Sequence, residues 1–132
     1  MYNAGSDITA AAMADLDGDG KLETAVASRN FLLYAFDAAG KPLWHVNLGD
    51  TCQDFDIANM AGDGRPEIAC GCEDGTVQIV DARGQIIARH QAPAAVRSLR
   101  ACELDGKRQL KELVAGCENG RVYALQHLGG ER

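Results

Sequence analysis

The chain has 132 residues, of which 46% are hydrophobic and 24% charged, and its formal net charge is −6. This length and balance are typical of a soluble globular domain with a core of its own. The negative charge and the lack of a Lys/Arg cluster argue against a nucleic-acid partner. No apolar run approaches the about 20 residues that cross a bilayer, so we expect no membrane insertion either.

Four short strands are predicted in the first third of the chain, where short apolar runs alternate with glycine-containing turns. They cover about Ile8–Ala14, Leu22–Ala27, Phe31–Asp37 and Pro42–Asn47. Between the first two strands, the segment DLDGDGKLE has carboxylates at its first, third, fifth and ninth positions and glycine at its sixth.

This acidic segment predicts a calcium site. Alternate residues of a tight loop can direct their oxygens at one point, and Ca²⁺ binds about six to eight oxygens. Gly20 would provide the positive φ of the turn. An EF-hand would need two helices and a glutamate at position twelve, where this sequence has Val26. The alternative is a solvated acidic turn. The predicted ligands are Asp15, Asp17, Asp19, the backbone carbonyl of Lys21, and Glu23.

The rest of the chain predicts two more groups of short strands. The second group covers about Cys52–Asn59, Glu67–Gly71, Thr76–Asp81 and Gln85–Gln91. The third covers about Val96–Glu103, Glu112–Gly116 and Arg121–Gln126. The dipeptides Asp74-Gly75 and Asn119-Gly120 predict tight hairpins, which we assign to type I′ turns.

The three groups are copies of one another. The segment EIACGCEDG at 67–75 aligns with ELVAGCENG at 112–120, a shift of 45 residues. LETAVA at 22–27 aligns with PEIACG at 66–71, a shift of 44 residues. A repeat of about 44 residues with four strands is typical of a β-propeller blade, whereas a β-helix coil is about half as long.

The loop DLDGDGKLE and the apolar strand after it resemble the FG-GAP/VCBS-type repeats, the calcium-loop blades of integrin-α-like propellers. The resemblance covers nearly the whole chain. It implies an all-β fold, a β-propeller of four-stranded antiparallel blades, with three blades at about 4–47, 48–91 and 92–132. In this register the N-terminus supplies the end of an outer strand, and the third blade lacks most of its own. The calcium residues of the family carry over fully only to the first blade.

The other two blades depart from the calcium pattern. In the second blade the aligned residues are Asn59, Ala61, Asp63 and Glu67, so one ligand is missing and we expect a weak or empty site. In the third blade they fall near Glu103, Asp105, Lys107 and Glu112, and a lysine there predicts no metal. An ion held by four carboxylates leaves little room for a substrate, so its expected role is structural.

The first strand of each blade would line the central channel of a propeller. In register, Asp56 and Arg100 occupy equivalent places, and we expect them to pair between neighbouring blades. The expected polar ring is either a ligand site at the channel mouth or a self-satisfied ion-pair lining; it consists of Asp54, Asp56, Arg97 and Arg100. The alternate positions are predicted to be core: Ala11, Met13, Phe55, Ile57, Leu99 and Ala101.

Three blades in an arc would leave two blade faces uncovered, and propellers close with about four to eight blades. We therefore expect head-to-tail self-association, in which two chains form a six-bladed ring. One alternative is that the chain is an excerpt of a longer propeller. A less favoured alternative is that three chains form a ring of nine blades.

The five cysteines are odd in number, so we expect small buried hydrophobes rather than a disulfide framework. Free thiols favour a reducing compartment and the calcium loop an extracellular one, so the compartment stays open. Trp44 is predicted to pack against the neighbouring blade rather than to stack on a sugar.

The sequence contains no Ser/His/Asp arrangement and no phosphate-binding glycine loop. The leading interpretation is a non-catalytic binding or scaffold module with structural Ca²⁺, whose rim or channel mouth meets a protein or a glycan. One alternative is a carbohydrate-active enzyme or lectin, since the resemblance extends to propellers that include polysaccharide lyases. Another is a propeller fragment or engineered repeat protein whose only activity is assembly.

Overall fold

The computed structural model describes residues 7–58, 66–102 and 110–128, and its fold is all-β. Every predicted strand is present, with ends that differ from the prediction by two residues or fewer. The strands are β1 Ile8–Ala14, β2 Glu23–Ser28, β3 Leu32–Phe36, β4 Pro42–Asn47, β5 Cys52–Ala58, β6 Glu67–Cys72, β7 Thr76–Val80, β8 Ile86–Gln91, β9 Val96–Cys102, β10 Leu110–Cys117 and β11 Val122–Leu128.

The strands form three antiparallel sheets in which consecutive strands pair. The first blade is β1-β2-β3-β4, the second is β5-β6-β7-β8, and the third contains β9, β10 and β11 within the described residues. The inner strands lie side by side, with β1 against β5 and β5 against β9. Blades that stack around their first strands in this way form an arc of a β-propeller.

Two apolar clusters hold the arc together, one on each side of the second blade. The first cluster joins the first two blades through side chains such as Leu33, Phe55 and Ile68. The second cluster joins the second and third blades through side chains such as Ile79 and Leu113. The middle strand β6 is therefore buried along its whole length. Such continuous burial explains why the residues of β6 that follow Glu67 are all apolar or small.

The two outer faces of the arc are more exposed than the equivalent faces between blades. Met13 in β1 is 61% exposed, and Val122 in β11 is 70% exposed, whereas its equivalent Val77 is 0% exposed. The prediction that Ala11 and Met13 belong to the core is wrong for this structure. Both are exposed, because none of the described strands of another blade packs against this side of β1.

The hairpins between the second and third strands of each blade share one turn geometry. The positive φ belongs to Phe31 (76°), Gly75 (89°) and Gly120 (80°), and neither Asp74 nor Asn119 has a positive φ. The N–H of each positive-φ residue bonds to the carbonyl three residues earlier. This is a type I turn followed by a left-handed residue. The type I′ assignment is therefore wrong, although the hairpins themselves are confirmed.

Trp44 connects the first two blades. Its indole N–H donates to the backbone carbonyl of Ala82 at 2.9 Å. The ring lies so close to Gly84 that a Cβ at this glycine would be 2.6 Å from the indole. The predicted packing of Trp44 against the neighbouring blade is confirmed.

The four cysteines with described side chains are free and buried: Cys52, Cys70, Cys72 and Cys117. They pack in the two apolar clusters, as expected of small hydrophobes. Burial raises the pKa of Cys72 to about 12. A side-chain hydrogen bond with Cys52, together with burial, raises the pKa of Cys70. The described part of the chain has no helix suited to spanning a membrane.

Candidate functional site

The predicted calcium segment forms the connection between β1 and β2 of the first blade. Leu16 is buried in the first apolar cluster and anchors the beginning of the loop. Glu23 begins β2 opposite Ala14 and is only 2% exposed. One Glu23 carboxylate oxygen accepts the N–H of Leu16 at 2.7 Å. The loop is therefore closed at its base by a buried carboxylate.

The exposed part of the loop folds around its aspartates. Asp15 accepts the N–H groups of Gly18 and Gly20, both at 2.8 Å. Asp17 accepts the N–H of Asp19 at 3.1 Å, and Asp19 accepts the N–H of Lys21 at 2.8 Å. Gly20 has a φ of 84°, as the turn was predicted to require.

The four predicted carboxylates converge. One oxygen from each of Asp15, Asp17, Asp19 and Glu23 lies within 4.8 Å of the other three. Two oxygens bound to one Ca²⁺ at about 2.3–2.6 Å lie at most about 5 Å apart, so the spacing fits a shared ion. In the described residues, no other group of three or more His, Cys, Asp or Glu side chains converges in this way.

The loop concentrates negative charge. The N–H of Gly20, with those of Gly18 and Asp19, lowers the pKa of Asp15. The N–H of Asp19 acts in the same sense on Asp17, but partial desolvation and the neighbouring carboxylates outweigh it, so the pKa of Asp17 is raised. Such crowding is the electrostatic strain that a divalent cation relieves.

The predicted metal positions of the second and third blades lie largely outside the described residues. Asn59 and Asp63 of the second blade, and residues 103–109 of the third, are not among the described residues. Glu67 is described: it begins β6, is 3% exposed, and repeats the position of Glu23. A buried glutamate at the base of this loop is thus a feature that two blades share.

The predicted polar ring on the inner strands is a junction between blades. Asp54 in β5 accepts the N–H of Leu99 at 3.0 Å and an Arg100 N–H at 2.9 Å, both from β9. Asp56 accepts the N–H of Ala101 at 2.9 Å. The two carboxylates therefore bond to the open edge of the next inner strand.

Two details of the predicted ring are wrong. Arg100 pairs with Asp54 and not with Asp56, because the offset between β5 and β9 places Asp54 beside Leu99 and Arg100 and places Asp56 beside Ala101. Arg97 pairs with Glu118 of its own blade. The four residues are therefore not gathered at one point, and their contacts support the self-satisfied lining rather than a shared ligand site.

Solved structures with the same architecture are propeller proteins. The structure of BBS1N in complex with ARL6DN, soaked with lead, matches with a TM-score of 0.70 and 19% identity, and covers 95% of this chain and 38% of that one. BamB from Moraxella catarrhalis matches with a TM-score of 0.67 and 20% identity, over 98% of this chain and 36% of that one. At this identity the likeness establishes the fold alone.

One curated relative is closer in sequence. The rhamnogalacturonan exolyase YesX of Bacillus subtilis (strain 168) is 30% identical over 102 residues. The match covers 62% of this chain but only 16% of the exolyase, so the chain spans a small part of that enzyme. A family model described as the lambda-carrageenase beta-propeller domain matches residues 6–94, which include the first two blades. The chain therefore belongs to the family of the lambda-carrageenase β-propeller domain.

Proposed function

We propose that this chain is a non-catalytic binding or scaffold propeller module whose first blade is stabilised by Ca²⁺. The observation that carries the calcium proposal is the convergence of Asp15, Asp17, Asp19 and Glu23 within 4.8 Å. Hard carboxylate oxygens in a glycine-containing loop suit calcium better than a softer metal. In this proposal the blade is of the FG-GAP/VCBS type, with the carbonyl of Lys21 as a further ligand.

The role of the ion is to fix the turn between β1 and β2. One Glu23 oxygen is engaged by Leu16, so the other is available to the ion. The ion would thus connect the exposed aspartates to the buried base of the loop. Its charge offsets the partial desolvation and the carboxylate repulsion that together raise the pKa of Asp17. The chemistry it supplies is therefore structural, and we assign it no catalytic step.

The metal assignment is tested by calorimetric titration with CaCl₂. We expect the wild-type chain to bind one ion and Asp17→Ala to lose at least tenfold in affinity. Glu118→Gln is the matched control, because it removes one negative charge at a residue that pairs with Arg97, outside the loop. Unchanged calcium binding by Asp17→Ala would contradict the assignment.

We further propose that a second copy of the chain covers the two outer faces. The face of the second blade that contains Val77 packs against the third blade, and the face that contains Ile57 packs against the first blade. Val122 and Met13 are the equivalents of Val77 and Ile57, so the faces that contain them would meet in the same way. A head-to-tail contact between two chains repeats this blade-to-blade packing and closes at six blades. The exposed apolar side chains on both faces support this assembly.

A carbohydrate-active enzyme is the second candidate, favoured by the match to the rhamnogalacturonan exolyase. We assign it second place because the acidic loop is the one convergent acid cluster in the described residues. Incubation with rhamnogalacturonan and with λ-carrageenan, followed by an assay of new reducing ends, separates the two. Turnover that a loop variant leaves intact would favour the enzyme, and no new ends would favour the binding module.

A further inference from the structure

The hairpin between β2 and β3 differs from its two copies at two exposed positions. The first blade has Arg29 and Phe31 where the second has Glu73 and Gly75. The third blade has glutamate and glycine there as well. All three hairpins have the same turn geometry, so the difference lies in the side chains alone. The first blade therefore presents a cation and an aromatic ring on a turn that is otherwise acidic and small.

Phe31 has an unfavourable backbone conformation for its residue type. Its φ of 76° is the only positive value among the described non-glycine residues. A bulky residue rarely adopts this left-handed region, which glycine occupies without strain. Phe31 is 41% exposed and belongs to neither apolar cluster of the described residues, so packing in these clusters does not account for its conformation. Strain of this kind, without a packing reason, points to a functional constraint.

The connection between β4 and β5, residues 48–51, leaves room for the side chain of Phe31. In the second blade, a Cβ at Gly75 would lie 2.7 Å from the carbonyl oxygen of Ala92. The first blade keeps the same backbone bond, with the N–H of Leu48 donating to the Phe31 carbonyl at 2.8 Å. Its connection has Gly49, with a φ of 80°, where the second blade has proline. The second blade therefore has its glycine in the turn, whereas the first blade has its glycine in the connection beside the turn.

Arg29 supplies charge at the same turn. Its side chain is 56% exposed and its contact with Asp7 is long, at 3.9 Å. A guanidinium binds carboxylate or sulfate through two parallel hydrogen bonds. An exposed aromatic ring provides a flat apolar surface for the C–H face of a pyranose. We propose that the turn formed by Ser28, Arg29, Asn30 and Phe31 is a binding subsite for an acidic sugar.

This inference deepens the proposed binding module and rests on it, by naming a ligand class and the residues that meet it. Phe31 would stack on the sugar ring, and Arg29 would bind the carboxylate or sulfate. Both are binding residues, and no reaction step is assigned to them. The calcium loop lies at the opposite end of β2, so the two sites are separable by experiment.

The probes are trisaccharides in NMR titrations of the ¹⁵N-labelled chain: a galacturonic acid trimer, a sulfated galactose trimer and a neutral galactose trimer. We expect an acidic probe to shift the amide signals of residues 29–31, and the neutral probe to bind at least fivefold more weakly. The two acidic arms distinguish carboxylate from sulfate recognition. Binding of neither acidic probe, in a chain that still binds Ca²⁺, overturns the subsite but not the calcium proposal.

Phe31→Gly is the decisive variant because it copies the other two blades. We expect its melting temperature to rise, since the strain is removed, while the affinity for the acidic probe falls at least tenfold. Arg29→Glu copies the other blades at the second position, and should lose the same affinity without the gain in melting temperature. Ile87→Ser, an exposed apolar residue of β8, is the control and should bind normally. A more stable Phe31→Gly that binds the acidic probe as well as wild type overturns the proposal.

Discussion

Cys72 shows how burial sets the chemistry of a single residue in this fold. It lies opposite Cys52 in the β5–β6 register and packs in the cluster between the first two blades. Burial disfavours the thiolate, so the neutral thiol packs as a small hydrophobe. The cysteines of this region therefore contribute packing rather than reactivity.

The raised pKa of Cys72 predicts an alkaline loss of stability. Its pKa rises from 9.0 to about 12 on folding, so the unfolded chain releases its proton first as the pH increases. The contribution is fully present below pH 9 and falls by about 1.4 kcal/mol per pH unit between pH 9 and 12. Denaturant unfolding at pH 8, 9, 10 and 11 measures this slope. The slope should be shallower in Cys72→Ala, and an unchanged slope would contradict the assignment.

The sequence alone predicts the functional residues of the acidic loop but not those of the hairpin between β2 and β3. The loop could be predicted because the spacing of Asp15, Asp17 and Asp19 is itself the chemistry of the site. Phe31 looked like the first residue of a strand, since aromatic residues favour strands. Its significance depends on a φ angle that no propensity predicts. The signal was present in the repeat alignment, where Phe31 falls on Gly75 and Gly120.

At the scale of strands and blades, the contacts between sheets determine the arc. Every strand could be predicted because each blade repeats the same alternation of apolar runs and glycine turns. The pairing of Arg100 with Asp54 could not, because it depends on the offset between β5 and β9 in neighbouring blades. A 44-residue repeat shows which positions of two blades are equivalent, but it does not show how far the strands of one blade are shifted along those of the next. Side chains that join blades are therefore less predictable than those within a blade.

A comparison of two equivalent glycines measures the energetic effect of crowding the contact between Trp44 and the second blade. Gly40 and Gly84 occupy the same turn in adjacent blades, with φ values of 85° and 87°. Alanine at either position costs about 1–2 kcal/mol of backbone strain. At Gly84 the new methyl group also meets Trp44, whereas nothing lies within 4 Å of a Cβ at Gly40.

We therefore expect Gly84→Ala to destabilise the chain by about 1–3 kcal/mol more than Gly40→Ala, because overpacking is added to strain. Equilibrium unfolding in urea compares the two variants directly. The double variant Trp44→Leu/Gly84→Ala should recover part of the difference. Equal costs at the two glycines would show that the Trp44 contact does not restrain the blades.

At the scale of the whole molecule, the arc has two faces that resemble its internal junctions but are uncovered. Met13 and Val122 are the most exposed large hydrophobic residues of these faces. Monomeric proteins rarely expose apolar patches larger than a few hundred Å². In a ring of two chains, each exposed face would meet the opposite face of the other copy.

The proposed ring of two chains is tested by the mass of the chain in solution, measured by light scattering after size exclusion in calcium and in chelator. A closed ring of two chains predicts twice the 14.0 kDa of one chain, about 28 kDa, in calcium. Val122→Lys, which places a charge on one outer face, should shift the mass toward the monomer. Loss of the dimer in chelator would connect the loop to assembly. A well-folded monomer of 14.0 kDa in calcium would contradict the ring.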